Sequence, residues 1–212
     1  MSERNHEGKT LKEKNRLENF NQMRVELINQ GYEETELCVS VLKANIMAIV
    51  MTLPIAIVCW ILYLLIHTHS VFQPTSFLFV FICILGIVIH ELTHGIVWAM
   101  NAKKGWKAIS FGVIWKFLTP YCCCNECLSY YPYFLGAVMP TVLLGFLPYL
   151  ISLMIGSQYL LMFSIIFIIS GGGDLYICSI IRSFKDSILI DHPNQIGCVA
   201  FTKRQSKDEE VI

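Results

Sequence analysis

Charge is what this sequence has least of. Only 15% of its 212 residues are Asp, Glu, Lys or Arg, 55% are hydrophobic, and mean hydropathy is +0.56. Soluble domains carry about 25% charged residues, so a water-facing globule is excluded and an integral membrane protein is expected. Net charge is missing as well, with sixteen basic residues against sixteen acidic ones. No global field then draws nucleic acid or an acidic partner, and no nucleic-acid ligand is expected. Nor is a cleavable signal peptide expected. The first 43 residues hold seven Lys/Arg and eight Asp/Glu, too long and too mixed in sign for an n-region, and the apolar run behind them is long enough to span a bilayer.

What is present is four apolar stretches, 44–66, 77–100, 133–155 and 159–182. Each can cross about 30 Å of hydrocarbon as a helix. The segments 67–76 and 156–158 contain no Lys or Arg. All sixteen lie in residues 1–43, 101–132 and from Arg182 onward. The excess of positive charge on one side places both termini in the cytosol, as expected of a multi-pass membrane protein. Six cysteines lie outside the spans (Cys38, Cys122, Cys123, Cys124, Cys127 and Cys198). All fall on that reducing side, so no disulfide framework is implied.

Three regions follow: a cytosolic arm (1–43) with a loose helical pattern over 11–28, a transmembrane domain (44–182) and a cytosolic tail (183–212). The fold class expected is an all-α membrane protein of four transmembrane helices. One short β-hairpin-like segment is expected between the second and third helices, because Lys107-Ala-Ile-Ser-Phe-Gly-Val-Ile-Trp-Lys-Phe-Leu118 is β-prone and partly alternating. Such a hairpin either packs on the surface or holds an extended peptide by strand addition. Pro140 and Pro148 suggest kinks in the third helix.

Inside the second stretch lies His90-Glu91-Leu92-Thr93-His94. Histidines four apart project from one helical face, as two metal ligands must, with the glutamate beside them. A charged group at mid-membrane costs about 3 kcal/mol on insertion scales, so such residues need a reason to be there. Zinc supplies it: both imidazoles bind neutral, a position stays open for water, and Glu91 takes that water's proton. The bland alternative is a chance match, or polar residues holding helices together.

A third ligand must lie at the same depth. His90 and His94 are ten and six residues from the cytosolic end of their stretch, and Asp174 is eight from the cytosolic end of the fourth. At about 1.5 Å per residue these are depths of about 9–15 Å and about 12 Å. Asp174 is the only other acid in the apolar body and the candidate third ligand, although it could instead pair with Arg182 or cap a broken helix. Ser170-Gly-Gly-Gly173 before it either lets backbone approach a metal or permits close helix packing. Pro120-Tyr-Cys-Cys-Cys-Asn-Glu-Cys127 lacks two separated Cys-x-x-Cys pairs. It reads as a reduced loop at the membrane surface rather than a second zinc site. Asp191 and His192 read as a solvated turn before Pro193, or as groups near the opening, with no catalytic role assigned.

Taken together, His90-Glu-Leu-Thr-His-Gly95, Pro120-Tyr-Cys, Gly136-Ala-Val-Met-Pro140, Gly171-Gly-Gly-Asp174 and Asp191-His-Pro followed by Gly197 resemble a known group. They look like the putative zincin peptidases, small bacterial multi-pass membrane proteins, over about residues 28–200. More distantly the layout is similar to the catalytic core of site-2 proteases, which cut peptide bonds within the membrane. The resemblance implies zinc held by His90, His94 and Asp174, and Glu91 in the catalytic position. It implies a peptide or membrane-protein substrate met in the lipid bilayer. Asp174 stands in Gly-Gly-Gly-Asp-Leu rather than the Leu-Asp-Gly usual in site-2 proteases, and no separate peptide-binding domain is evident. Two other classes compete. One is a non-hydrolytic metal-binding or partner-binding membrane protein of the same architecture. The other is a small transporter using Glu91 and Asp174 as ion sites, weakened by the lack of evident inverted repeats. Two imidazoles and a carboxylate also suit iron. Substrate identity and oligomeric state leave no trace in the sequence.

Overall fold

In the computed structural model, residues 11–68, 76–115 and 119–204 are described, with side chains from Glu13 onward. The polar arm folds first into helix α1 (Leu11–Asn29), which lays Phe20 and Leu27 on Ile190, Val199 and Phe201 of the tail. Gly31, at φ +83° where only glycine is unstrained, turns the chain into strand β1 (Tyr32–Val39). Ser40 ends the strand and caps the next helix, its hydroxyl accepting the Lys43 amide at 3.3 Å.

Helices α2 (Val41–Ile66) and α3 (Phe77–Asn101) follow the first two apolar stretches to within a few residues. A 3₁₀ turn (Gly105–Ala108) leads to β2 (Ile109–Ile114), paired antiparallel with β3 (Thr119–Cys124), Ser110 opposite Cys123. The hairpin expected within 107–118 is thus displaced. Its second strand comes from the cysteine-rich stretch read as a loop, and Lys116–Leu118 lies outside the described residues. Pro-Tyr-Cys-Cys-Cys shows no alternation of apolar and polar residues, so only its pairing to β2 reveals it as a strand.

The short β4 (Leu128–Ser129) runs into α4 (Tyr130–Pro140). A π-helical stretch (Thr141–Phe146) and α5 (Leu147–Ile155) complete that rod. The irregular stretch lies between Pro140 and Pro148, where kinks were expected; proline has no N–H for the i→i−4 ladder. The fourth apolar stretch is two helices, α6 (Gln158–Ser170) and α7 (Gly172–Ile181), bent by 40° at Gly171. Strands β5 (Ile188–Asp191) and β6 (Ile196–Lys203) close the described chain.

The protein is mostly helical, but an all-α reading misses a four-stranded antiparallel sheet of order β1-β6-β5-β4. Arm and tail meet in it along their full strands, Tyr32 opposite Lys203 through Val39 opposite Ile196. The reason for the omission is local. Glu-rich Tyr32–Val39 carries residues depleted in strands, and Cys198–Phe201 is buried at every position, so neither shows the alternation of a half-buried strand. Leu189, Cys198 and Ala200 pack with Trp98, Tyr133 and Ile181 in one core that joins the sheet to α3, α4 and α7. Helices α2, α3 and the rod Tyr130–Ile155 are each long and apolar enough to cross a membrane, and α6–α7 makes a fourth when the bent pair is one span. Much of their surface is apolar and exposed, Leu65 and Phe77 among the most so, as lipid-facing helices require.

Candidate metal centre

His90 and His94 lie one turn apart on α3 and both are buried. Asp174 sits in the first turn of α7, just beyond the bend at Gly171. The three side chains meet. The Asp174 Oδ2 atom lies 3.2 Å from His90 Nε2 and 3.5 Å from His94 Nε2. Asp174 therefore faces the histidines and not Arg182, which is exposed beyond the end of its helix.

The bend has a packing cause. A Cβ on Gly171 would collide with the Thr141 hydroxyl, and one on Gly172 would stand 2.7 Å from the Ala48 carbonyl oxygen in α2. Both glycines thus serve close helix contact. A Cβ on Gly173 would meet nothing within 4 Å, so only there, next to Asp174, does the missing side chain leave space open. The two readings of the triglycine divide between its residues.

Backbone groups orient the site. His94 Nδ1 donates to the Gly136 carbonyl at 2.8 Å, which leaves the Nε2 lone pair directed at Asp174; this is how metal-binding imidazoles are usually held. The approach of α4 that makes this possible needs a bare Cα at Gly136, because a Cβ would collide with the Trp98 indole. Trp98 in turn stacks on His94 and on Tyr133, with ring centroids 5.2 Å and 5.5 Å apart, and its indole N–H donates to the Tyr133 carbonyl at 3.1 Å. On the far side His90 lies over Phe167. Its Nδ1 is buried and meets no hydrogen-bond partner among the described residues.

Glu91 is half-buried, and its carboxylate accepts the Cys122 amide of β3. Two residues along the same edge, the Cys124 amide donates to Asp191 Oδ2 at 2.7 Å. Residue 120, next in the alternation, is proline and has no N–H. Glu91 and Asp191 therefore already occupy the donors that an added strand would seek along this part of β3, which favours a packed hairpin over a strand-addition edge there. Glu126 is committed too: its carboxylate accepts the Lys104 amide at 3.2 Å and faces the Lys104 ammonium. The cysteine-rich stretch is reduced, all nine cysteines being free, and burial pushes Cys124 up to about 12.

Asp191 was missed as a structural partner. Far from standing in a solvated turn, it ends β5, half-buried, with Tyr133 Oη donating to its Oδ1 at 2.6 Å. Burial pushes its carboxyl up while the Tyr133 hydroxyl and the Cys124 amide pull it down. No local signal in Asp-His-Pro announces this, since both donors come from elements distant in sequence.

The donor set suits a metal. Two imidazoles and a carboxylate converge by single atoms, in the combination that leaves open positions on zinc or iron. Among the described residues the only other such group is Glu36, Cys38 and His192 on the sheet.

A helical membrane scaffold carrying a His-Glu-x-x-His turn against an aspartate from a second helix defines the general class. Residues 83–189, half of the chain, match the family described as "Putative zincin peptidase", and the chain belongs to that family. No curated protein and no solved structure gives a significant match.

Proposed function

We propose that this protein is a zinc metallopeptidase that hydrolyses peptide bonds of membrane-associated or membrane-spanning substrates at a depth reached from the cytosol. Membership of a zincin family supports the reaction class. The observation that carries the rest is the convergence of His90, His94 and Asp174 beside Glu91. His90, His94 and Asp174 would hold the metal. Bound there, zinc would supply Lewis acidity, polarising a scissile carbonyl and lowering the pKa of water to about 7.

The remaining steps belong to the chain. Glu91 lies beside the cluster without bonding to it, so it accepts the proton of the attacking water and passes it to the departing amine. The Cys122 amide fixes one side of that carboxylate, and the Gly136 carbonyl keeps the His94 proton on Nδ1. The confinement of all Lys and Arg to 1–43, 101–132 and the residues from 182 onward supports cytosolic termini, with the sheet and hairpin on the cytosolic side.

The test compares wild type with Glu91→Gln at equal zinc occupancy in reconstituted bilayers, using a library of membrane-spanning peptides. Glutamine keeps the size and cannot take a proton at neutral pH. Cleavage is expected to fall by about a thousandfold, within the about 10²- to 10⁴-fold range for a general base. Equal cleavage by both would remove Glu91 from the mechanism. A zinc-loaded wild type that cleaves nothing would make this a non-hydrolytic binding protein on the same scaffold.

A further inference from the structure

Asp191 touches neither the paired histidines nor Glu91, yet its two oxygens reach the two backbone segments that hold them. Oδ1 accepts the Tyr133 hydroxyl at 2.6 Å. Tyr133 lies one turn before Gly136 on α4, and the Gly136 carbonyl receives the His94 Nδ1 proton. The Tyr133 carbonyl also receives the Trp98 indole, whose ring stacks on His94. Oδ2 accepts the Cys124 amide at 2.7 Å. Cys124 and Cys122 are two apart on β3, so their amides point the same way, one at Asp191 and one at Glu91.

We propose that Asp191 is the positioning residue of this site. Through Tyr133 it sets the register of α4 against His94, and through Cys124 it sets the edge of β3 against Glu91. The sheet has a clear purpose on this view. Strand β5 delivers one carboxylate into the angle between hairpin and helix, and the pairing of β5 with β6, Asp191 opposite Cys198, fixes its height. Charge strengthens both bonds, since an ionised acceptor makes hydrogen bonds roughly twice as strong as a neutral one.

The role rests on the metallopeptidase reading for Glu91, but not for His94, and the experiment separates the two. Asp191→Asn and Tyr133→Phe are compared with wild type at matched folded fraction. Three quantities are read: zinc affinity, the visible spectrum of the cobalt-loaded protein, and the ¹⁵N tautomer signals of His94. Asp191→Asn keeps the shape but presents an amide where two acceptors are needed. It should weaken zinc about 10- to 100-fold, the range for outer partners of metal-binding histidines. It should also change the cobalt spectrum and mix the His94 tautomers. Tyr133→Phe removes only the α4 arm. It should reproduce the tautomer mixing while leaving Glu91 in place, so that any peptide cleavage loses less than in Asp191→Asn. In both, kcat should fall with KM near wild type. Unchanged zinc affinity, cobalt spectrum and His94 tautomer in folded Asp191→Asn would overturn the proposal. If wild type binds zinc and cleaves nothing, the peptidase reading fails alone, and the three His94 readouts still decide the role of Asp191.

Discussion

Among the described residues, two places gather a histidine, a carboxylate and a third donor within 4.8 Å of one another: His90, His94 and Asp174 between the helices, and Glu36, Cys38 and His192 on the sheet. Composition makes them equals, and hydrogen bonding separates them. His94 gives its Nδ1 proton to a carbonyl, so Nε2 keeps a lone pair for a metal. His192 does the reverse. Its Nδ1 accepts the Asn194 amide at 3.1 Å, so a neutral ring carries its proton on Nε2, which points at Glu36 Oε1 3.9 Å away. His192 is thus set to hydrogen-bond Glu36 through Nε2, whereas His94 has its Nδ1 engaged by a carbonyl and Nε2 left for a metal. Burial widens the gap, because His90 and His94 are buried in an apolar body while Glu36 is exposed. Which atom the far nitrogen meets matters more than how many donors stand close.

The sharpest way to break this contrast is to remove ligands from the helical cluster. His90→Ala or His94→Ala should abolish stoichiometric zinc in detergent-purified protein. Asp174→Ala should weaken zinc by at least about 100-fold, since losing a mere outer partner already costs about 10- to 100-fold. Metal analysis of the purified variants checks this. If Asp174→Ala keeps full affinity while Glu126→Ala or His192→Ala loses it, the assignment of the third ligand is wrong and the two clusters have exchanged roles.

The helical half of this contrast was legible in the sequence. His90-Glu-Leu-Thr-His94 carries its geometry in its spacing, and a lone acid at matched depth named Asp174, because helix rise converts sequence position into depth. What holds that cluster was not legible. Gly136, Tyr133 and Asp191 act through backbone carbonyls, a hydroxyl and an amide supplied by other elements, and no spacing rule connects residue 94 to residue 136 or residue 124 to residue 191. The sheet was lost for a related reason: β1 and β6 are far apart in sequence, and each lacks by itself the alternation that announces a strand. Three helices long and apolar enough to cross a membrane, by contrast, and a fourth when the pair bent at Gly171 is one span, follow from composition alone.

A smaller perturbation tests how tightly the helical cluster depends on its support. Gly136→Ala puts a Cβ into the Trp98 indole, which forces α4 outward and withdraws the carbonyl from His94. Overpacking of this kind costs about 1–3 kcal/mol. Thermal unfolding should therefore move to lower temperature, and zinc affinity should fall by about tenfold even in the folded fraction. A folded Gly136→Ala with unchanged zinc affinity would show that His94 holds its orientation without the Gly136 carbonyl.

The smallest effects on zinc belong to the sheet cluster, and Cys38 reports on it. Burial first, and then the neighbouring Glu36 carboxylate, push its thiol up to about 12. At pH 8 an ordinary cysteine of pKa about 8.5 is roughly one-quarter thiolate, whereas a thiol near 12 is only about one part in ten thousand ionised. Alkylation of Cys38, followed by peptide mass mapping, should therefore be about a thousandfold slower than that of a free thiol. Its rate should rise about tenfold for each pH unit between 7 and 10, since the thiolate is the nucleophile and its pKa lies above that range. Glu36→Gln should quicken the reaction only a few-fold. Burial is the larger cause and survives the change, and the Glu36 side chain is 55% exposed, so water screens its charge. Added zinc should neither slow the reaction nor exceed one equivalent per chain, and Cys38→Ser should leave that stoichiometry unchanged. Protection of Cys38 by zinc would reverse the comparison: the sheet cluster would then hold metal, and the Asn194 amide would have to give up His192 Nδ1 to let it do so.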